Sequence, residues 1–151
     1  MTDGPNDPQQ LAERIADAML ANDALSRWLG LEVVAVAPRR ATCRMTVRAE
    51  MVNGFGVAHG GIVFSFADSA FALACNTHGT VTVAVDNTIT YPAAIHPGDV
   101  LTAEAVEEAS SKRLGYYKVT VTNQHGAVVA LFKGTSYKTA RPHFPDETPN
   151  A

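Results

Sequence analysis

Cysteine is scarce in this chain: Cys43 and Cys75 stand far apart, with no Cys-x-x-Cys and no histidine cluster beside them. That disfavours a disulfide scaffold or a zinc ribbon, and no metal is expected. Separated thiols fit a reducing compartment, so the expected location is the cytoplasm. Positive charge is also short, with 12 Lys and Arg against 15 Asp and Glu, for a net charge of -3. Nucleic acids and anionic membranes need a basic face, and neither is an expected partner. No apolar run approaches the about 20 residues that cross a bilayer. The start, Met1-Thr2-Asp3-Gly4-Pro5, has neither the basic nor the apolar part of a signal peptide. What the chain does have is apolar bulk. Hydrophobic residues make up 46% of it and charged residues 18%, which suits one globular core.

Punctuation and periodicity divide that bulk. Residues 1–8 and 140–151 are polar and proline-bearing and read as loose tails around a single domain, 9–139. Leu11, Ile15, Ala18 and Met19 share a face at helical spacing, so residues 9–21 read as an amphipathic helix. Asp23 can cap a short helix, Ala24 to Leu29, closed by Gly30. The pattern then turns to period two: Leu31 to Ala37 and Ala41 to Ala49 read as strands around Pro38-Arg39-Arg40. After a glycine-rich loop, Gly61 to Asn76 has the unbroken apolar character of a long helix. Four strands follow: Val81 to Tyr91, Asp99 to Glu107, Leu114 to Asn123 and Ala127 to Thr139. An uninterrupted strand run argues for antiparallel pairing and an α+β class. A helix this apolar needs burial on nearly all sides, which a curved sheet wrapped around it supplies.

One charge breaks the long helix. Asp68 lies among Phe64, Phe66, Phe71 and Ala72, and carboxylates rarely enter apolar surroundings without a partner. Either it points out through a gap or caps another element, or it is a functional carboxylate with a perturbed pKa. The helix opens with His59-Gly60-Gly61. Its first N–H groups lack internal partners and suit a developing oxyanion, with glycines letting a substrate come close. A plain turn into a helix is the alternative. Asn53, in the same loop, can donate or accept. Gly60 and Asp68 are about 12 Å apart along a helix axis. Reacting groups must converge to roughly 3 Å, so both can act together only if Asp68 meets the helix start of a second copy.

Met51-Val52-Asn53-Gly54 followed by His59-Gly60-Gly61-Ile62-Val63-Phe64-Ser65-Phe66-Ala67-Asp68-Ser69 and on to Asn76 resembles the signature of the hot-dog-fold thioesterases, in particular the PaaI-type phenylacetyl-CoA thioesterases. Asn22-Asp23-Ala24, Gly98-Asp99, Lys112 to Tyr117 and Val129 to Gly134 extend the likeness over roughly residues 10 to 138. The resemblance implies a hot-dog fold, a homodimer with shared sites paired into a tetramer, and hydrolysis of acyl-CoA without metal or organic cofactor. It implies Asp68 as nucleophile or general base, the partner's Gly60 N–H as oxyanion donor, Asn53 and His59 as positioning groups, and Ser69 as an auxiliary hydroxyl. Gly61 and Phe64 belong with the substrate, and Lys112 and Arg113 match a polar turn beside the CoA entrance, where they could meet phosphates. One stretch departs: in Tyr91-Pro92-Ala93-Ala94-Ile95-His96-Pro97, Ala93 stands where the family commonly has arginine. A hot-dog hydratase or dehydratase and a non-catalytic acyl-CoA sensor are the competing readings. The sensor would need an output element that residues 1–30 do not offer.

Overall fold

The computed structural model describes residues 7–147, and each α-helix in it starts where a side chain can serve the first unpaired N–H groups. Helix α1 (Pro8–Ala21) has proline at its first position and Asp7 Oδ1 accepting from the Gln9 N–H at 3.2 Å. Helix α2 (Ala24–Leu29) is capped by Asp23, whose Oδ1 accepts from the Ser26 N–H at 3.0 Å, and ends on Gly30 at φ 68°. Helix α3 (Gly60–Asn76) is capped by the His59 ring. Around them run strands β1 (Glu32–Ala37), β2 (Arg40–Thr46), β3 (Thr80–Thr90), β4 (Val100–Ser110), β5 (Leu114–Thr122) and β6 (Val128–Pro142), with single 3-10 turns at Ala49–Met51 and Pro145–Glu147.

The strands form one sheet in the order β1-β2-β4-β5-β6-β3, every pair antiparallel. Consecutive strands from β4 to β6 are neighbours, while β3 returns to pair with β6 at the edge. Helix α3 packs against β2, β3, β4, β5 and β6. The inward positions alternate as a half-buried strand requires: Ala41, Cys43 and Met45 on β2, Leu101, Ala103 and Ala105 on β4, Tyr117, Val119 and Val121 on β5. The contact with the helix is aromatic. Phe71 meets Tyr117 edge-on with ring centres 5.4 Å apart and lies 5.7 Å from Phe132. Among the described residues no helix is long and apolar enough to cross a membrane.

Two expectations need correction. The chain is not loose from residue 140. Strand β6 stays paired with β3 as far as Pro142, which sits at the strand's end, where its missing N–H breaks little of the ladder. His143 then ties back: its Nε2 donates to Asn76 Oδ1 at 2.7 Å, and Phe144 lies under the Arg14 guanidinium at 4.6 Å. Asn76 is fully engaged, with Oδ1 also accepting from the Thr82 N–H at 2.8 Å and Nδ2 donating to the Ala72 and Thr82 carbonyls. The parts of both expected tails at residues 1–6 and 148–151 lie outside the described residues. Second, α3 is not covered all round. Gly61 is exposed and Phe64, Ser65, Asp68, Ser69 and Ala72 are only half-buried, because the sheet wraps one side of the helix.

Packing is tight at Gly134 of β6, where a Cβ would lie 2.8 Å from Cζ of Phe71. Gly134→Ala is expected to destabilise the domain by about 1–3 kcal/mol, as overpacking does. Denaturant unfolding with an unchanged slope is the measurement, and a variant as stable as the parent would show that the Phe71 ring yields freely.

Candidate active site

Residues four apart on a helix stack on one face, so Gly60, Phe64 and Asp68 line up along the open side of α3. At its start the backbone is clamped. The Gly61 N–H donates to Nδ1 of His59 at 3.0 Å, and the Tyr91 hydroxyl donates to the Gly60 carbonyl at 2.6 Å. The His59 carbonyl accepts from the N–H groups of Ile62 at 2.9 Å and Val63 at 3.4 Å. Both bonds draw density from the His59–Gly60 peptide and sharpen its N–H as a donor. That Gly60 N–H meets no acceptor among the described residues. It is available at the positive end of the helix dipole.

Two turns further, Asp68 is half-buried, and its Oδ1 accepts from Asn87 Nδ2 of β3 at 2.9 Å. Burial pushes its carboxyl above the ordinary carboxylate range, and the Asn87 hydrogen bond opposes that rise. Ser69 Oγ beside it lies 3.4 Å from Ser26 Oγ, whose one O–H is donated to Asp23 at 2.5 Å. The capping aspartate of α2 is thereby linked to the helix surface next to Asp68.

The other expected residues separate into two groups. His59 and Asn53 belong to the helix start but bond to their own loop rather than to Asp68. Asn53 Oδ1 accepts from the Phe55 N–H at 2.9 Å, closing an Asx turn. Phe64 packs edge-on to Phe132, ring centres 5.5 Å apart, and keeps one side toward the open face. A cavity of about 320 Å³ adjoins the helix start, lined by Gly60, Val63, Tyr91 and Ile95 among others. Lys112 and Arg113 lie elsewhere in the same chain. Their turn, with Lys138, borders a cavity of about 330 Å³. Leu114 pairs with Tyr137, whereas the Asp68 partner Asn87 pairs with Gly134, which is about 10 Å along β6. A larger groove of about 530 Å³ beside Arg39 and Glu107 contains none of the expected residues.

Sequence reading missed Asn87 and the hydroxyl contact of Tyr91. A polar amide in a strand of Val and Thr was the available signal for the first. The second depends on how the end of β3 meets the helix start, which periodicity does not encode.

Comparison with known proteins follows the same residues. The thioesterase superfamily profile matches residues 55–130. Acyl-coenzyme A thioesterase PaaI of Escherichia coli is 42% identical over 123 residues, spanning 82% of this chain and 88% of that protein. The solved structure of the E. coli PaaI protein from the phenylacetic acid degradation operon superposes with a TM-score of 0.88 at 38% identity, over 90% of this chain and 99% of that one. The structure of smu.793 from Streptococcus mutans, bound to acetyl CoA, superposes with a TM-score of 0.72 at 25% identity, over 74% of this chain and 90% of that one. With its helix held in an antiparallel sheet and its His-Gly-Gly helix start inside the matched segment, this chain belongs to the thioesterase superfamily and has the hot-dog fold.

Proposed function

We propose that the chain hydrolyses acyl-CoA thioesters of medium-sized, arylacetyl-type acids to the free acid and CoA, with no metal or organic cofactor. The observation that carries this reading is the half-buried Asp68 carboxylate on the open face of an apolar helix whose first N–H meets no acceptor among the described residues. The E. coli relative named as an acyl-CoA thioesterase and the S. mutans neighbour bound to acetyl CoA support the substrate class. Asp68 either attacks the thioester carbonyl, giving an anhydride that water opens, or takes the proton from an attacking water. In both routes the carbonyl oxygen gains charge, the Gly60 N–H of a second copy stabilises it, and the C–S bond breaks to release the CoA thiolate. General-base help contributes about 10²–10⁴-fold and one oxyanion donor about 10²–10³-fold.

The about 12 Å between Gly60 and Asp68 on one helix supports a site shared between two copies. The incompletely covered face of α3 supports it too. So does strand β3, a sheet edge with Val83 46% and Val85 57% exposed, which is the kind of edge that pairs with another chain. A two-fold pairing of this kind makes two equivalent sites, and a dimer of dimers is the further assembly expected. Lys112, Arg113 and Lys138 supply positive charge for the CoA phosphates.

Asp68→Ala is expected to lower turnover of phenylacetyl-CoA by at least about 10²-fold while the protein stays folded. Thiol release from a panel of acyl-CoAs reads this and separates hydrolysis from hydration or mere binding. Near-parental turnover would eliminate the mechanism.

The raised Asp68 carboxyl has a second consequence. A carboxyl that is harder to ionise in the folded state costs stability above its folded pKa, and that cost vanishes below the ordinary Asp range. Asp68→Asn should therefore melt higher at neutral pH, with the advantage fading on acidification. Thermal melts across pH test this, and a constant difference would contradict it.

The shared site has its own test. Gly60→Pro removes the N–H at a first helical position, which suits proline, and His59 already has the extended backbone (φ -64°, ψ 131°) that a following proline requires. Tyr91 Oη must give slightly, since a Cβ at Gly60 lies 3.1 Å from it. Mixing inactive Gly60→Pro and Asp68→Ala subunits should restore one of two sites in each heterodimer. Confirmed heterodimers without activity would place the whole site in one chain.

A further inference from the structure

Strand β3 begins in regular alternation, with Thr82 buried and Val83 exposed. Continued unbroken, that alternation would turn Ala84 and then Asp86 inward, setting a second carboxylate against the helix. It does not continue. A register shift between Ala84 and Asp86 breaks the phase: Ala84, Val85 and Asp86 are all exposed, and the next inward positions are Asn87 and Ile89. Bulges re-aim side chains in this way. Here one exchanges an acid for an amide opposite Asp68. Asn87 Nδ2 donates to Asp68 Oδ1 at 2.9 Å, and Asp68 Oδ2 accepts no hydrogen bond among the described residues. The other half of the amide has no such use: Asn87 Oδ1 is buried and has no hydrogen-bond partner among the described residues. An unpaired buried acceptor destabilises a fold, so this amide is a poor choice for stability alone.

We propose that Asn87 is a positioning residue for the hydrolysis: its N–H fixes Asp68 Oδ1, leaving Oδ2 as the oxygen that reacts. The inference rests on Asp68 being the catalytic carboxylate. A hydrogen bond to the ionised form also keeps that form accessible against burial. Few ionisable groups compete on the elements around α3. Cys43 comes from β2, Glu107 of β4 is bonded to Tyr117 of β5, Asp23 comes from α2, and Cys75 lies on α3 itself. Buried α1 positions are Ala12, Ile15 and Ala16, Glu32 of β1 is paired with Arg44, and Asp86 of β3 and Lys133 of β6 are exposed.

Asn87→Leu removes both the donor and the orphaned acceptor, and the near-isosteric Asn87→Asp replaces the donor with a like charge. The full-length protein and both variants are to be compared in pH–rate profiles with phenylacetyl-CoA, in thermal melts, and in a carboxyl-carbon NMR titration of Asp68. The expected result for Asn87→Leu is a kcat about 10-fold lower at neutral pH with KM little changed, and no loss of melting temperature. In both variants the acid limb and the Asp68 titration move to higher pH, further in Asn87→Asp. A purely structural role would lower the melting temperature and leave the titration in place. An unmoved titration in a folded variant overturns the proposal. Asp68→Asn serves as the control: if it keeps parental activity, the assignment of the catalytic carboxylate fails, while the titration still reports on the Asn87 contact.

Discussion

A carboxylate withdrawn from water is the constraint around which this domain is arranged. Asp68 could have been an alanine like its neighbours, and the helix would pack better for it. Its presence makes α3 carry a group that neither the sheet nor bulk solvent fully accommodates. The surrounding sequence answers with one amide hydrogen bond from β3 and a link of hydroxyls leading back to Asp23. It leaves the remaining face of the helix uncovered. Under the proposed mechanism, stability and chemistry pull in opposite directions at this residue.

The helix start shows a different economy. Three side chains hold the two glycines and leave the Gly60 N–H without an acceptor among the described residues: His59 receives Gly61, Tyr91 reaches the Gly60 carbonyl, and Ser65 donates to the Gly61 carbonyl at 2.8 Å. A donor fixed in advance would suit the proposed oxyanion role, because it need not reorganise as charge develops on the oxygen it faces. Tyr91 also crowds the glycine, since a Cβ there would lie 3.1 Å from its hydroxyl oxygen.

Much of this was legible from local rules. Asp23 and Gly30 mark the ends of α2 because each satisfies a need that few other residues meet. The long apolar run gave α3, and the period-two segments gave six strands close to their observed limits. The face bearing Asp68, and its distance from Gly60, followed from helix geometry alone. What stayed hidden was whatever depended on a break in periodicity or on another strand. Alternation read through β3 points Asp86 inward, and only the bulge puts Asn87 there instead. Prolines suggested a tail, but β3 offers pairing partners out to Pro142, and Asn76 offers His143 an acceptor. Lys112 and Arg113 were recognisable as a basic turn. Their offset from the Asp68 row along β6 is a matter of register.

Two asparagines carry a lesson for anyone redesigning the domain. Asn76 has every bonding capacity of its amide in use, bolting the last turn of α3 to β3 and to the chain beyond β6. Asn87 Oδ1 finds no hydrogen-bond partner among the described residues. An optimiser rewarding thermal robustness would keep the first and discard the second, and with it the one amide hydrogen bond that holds Asp68 Oδ1.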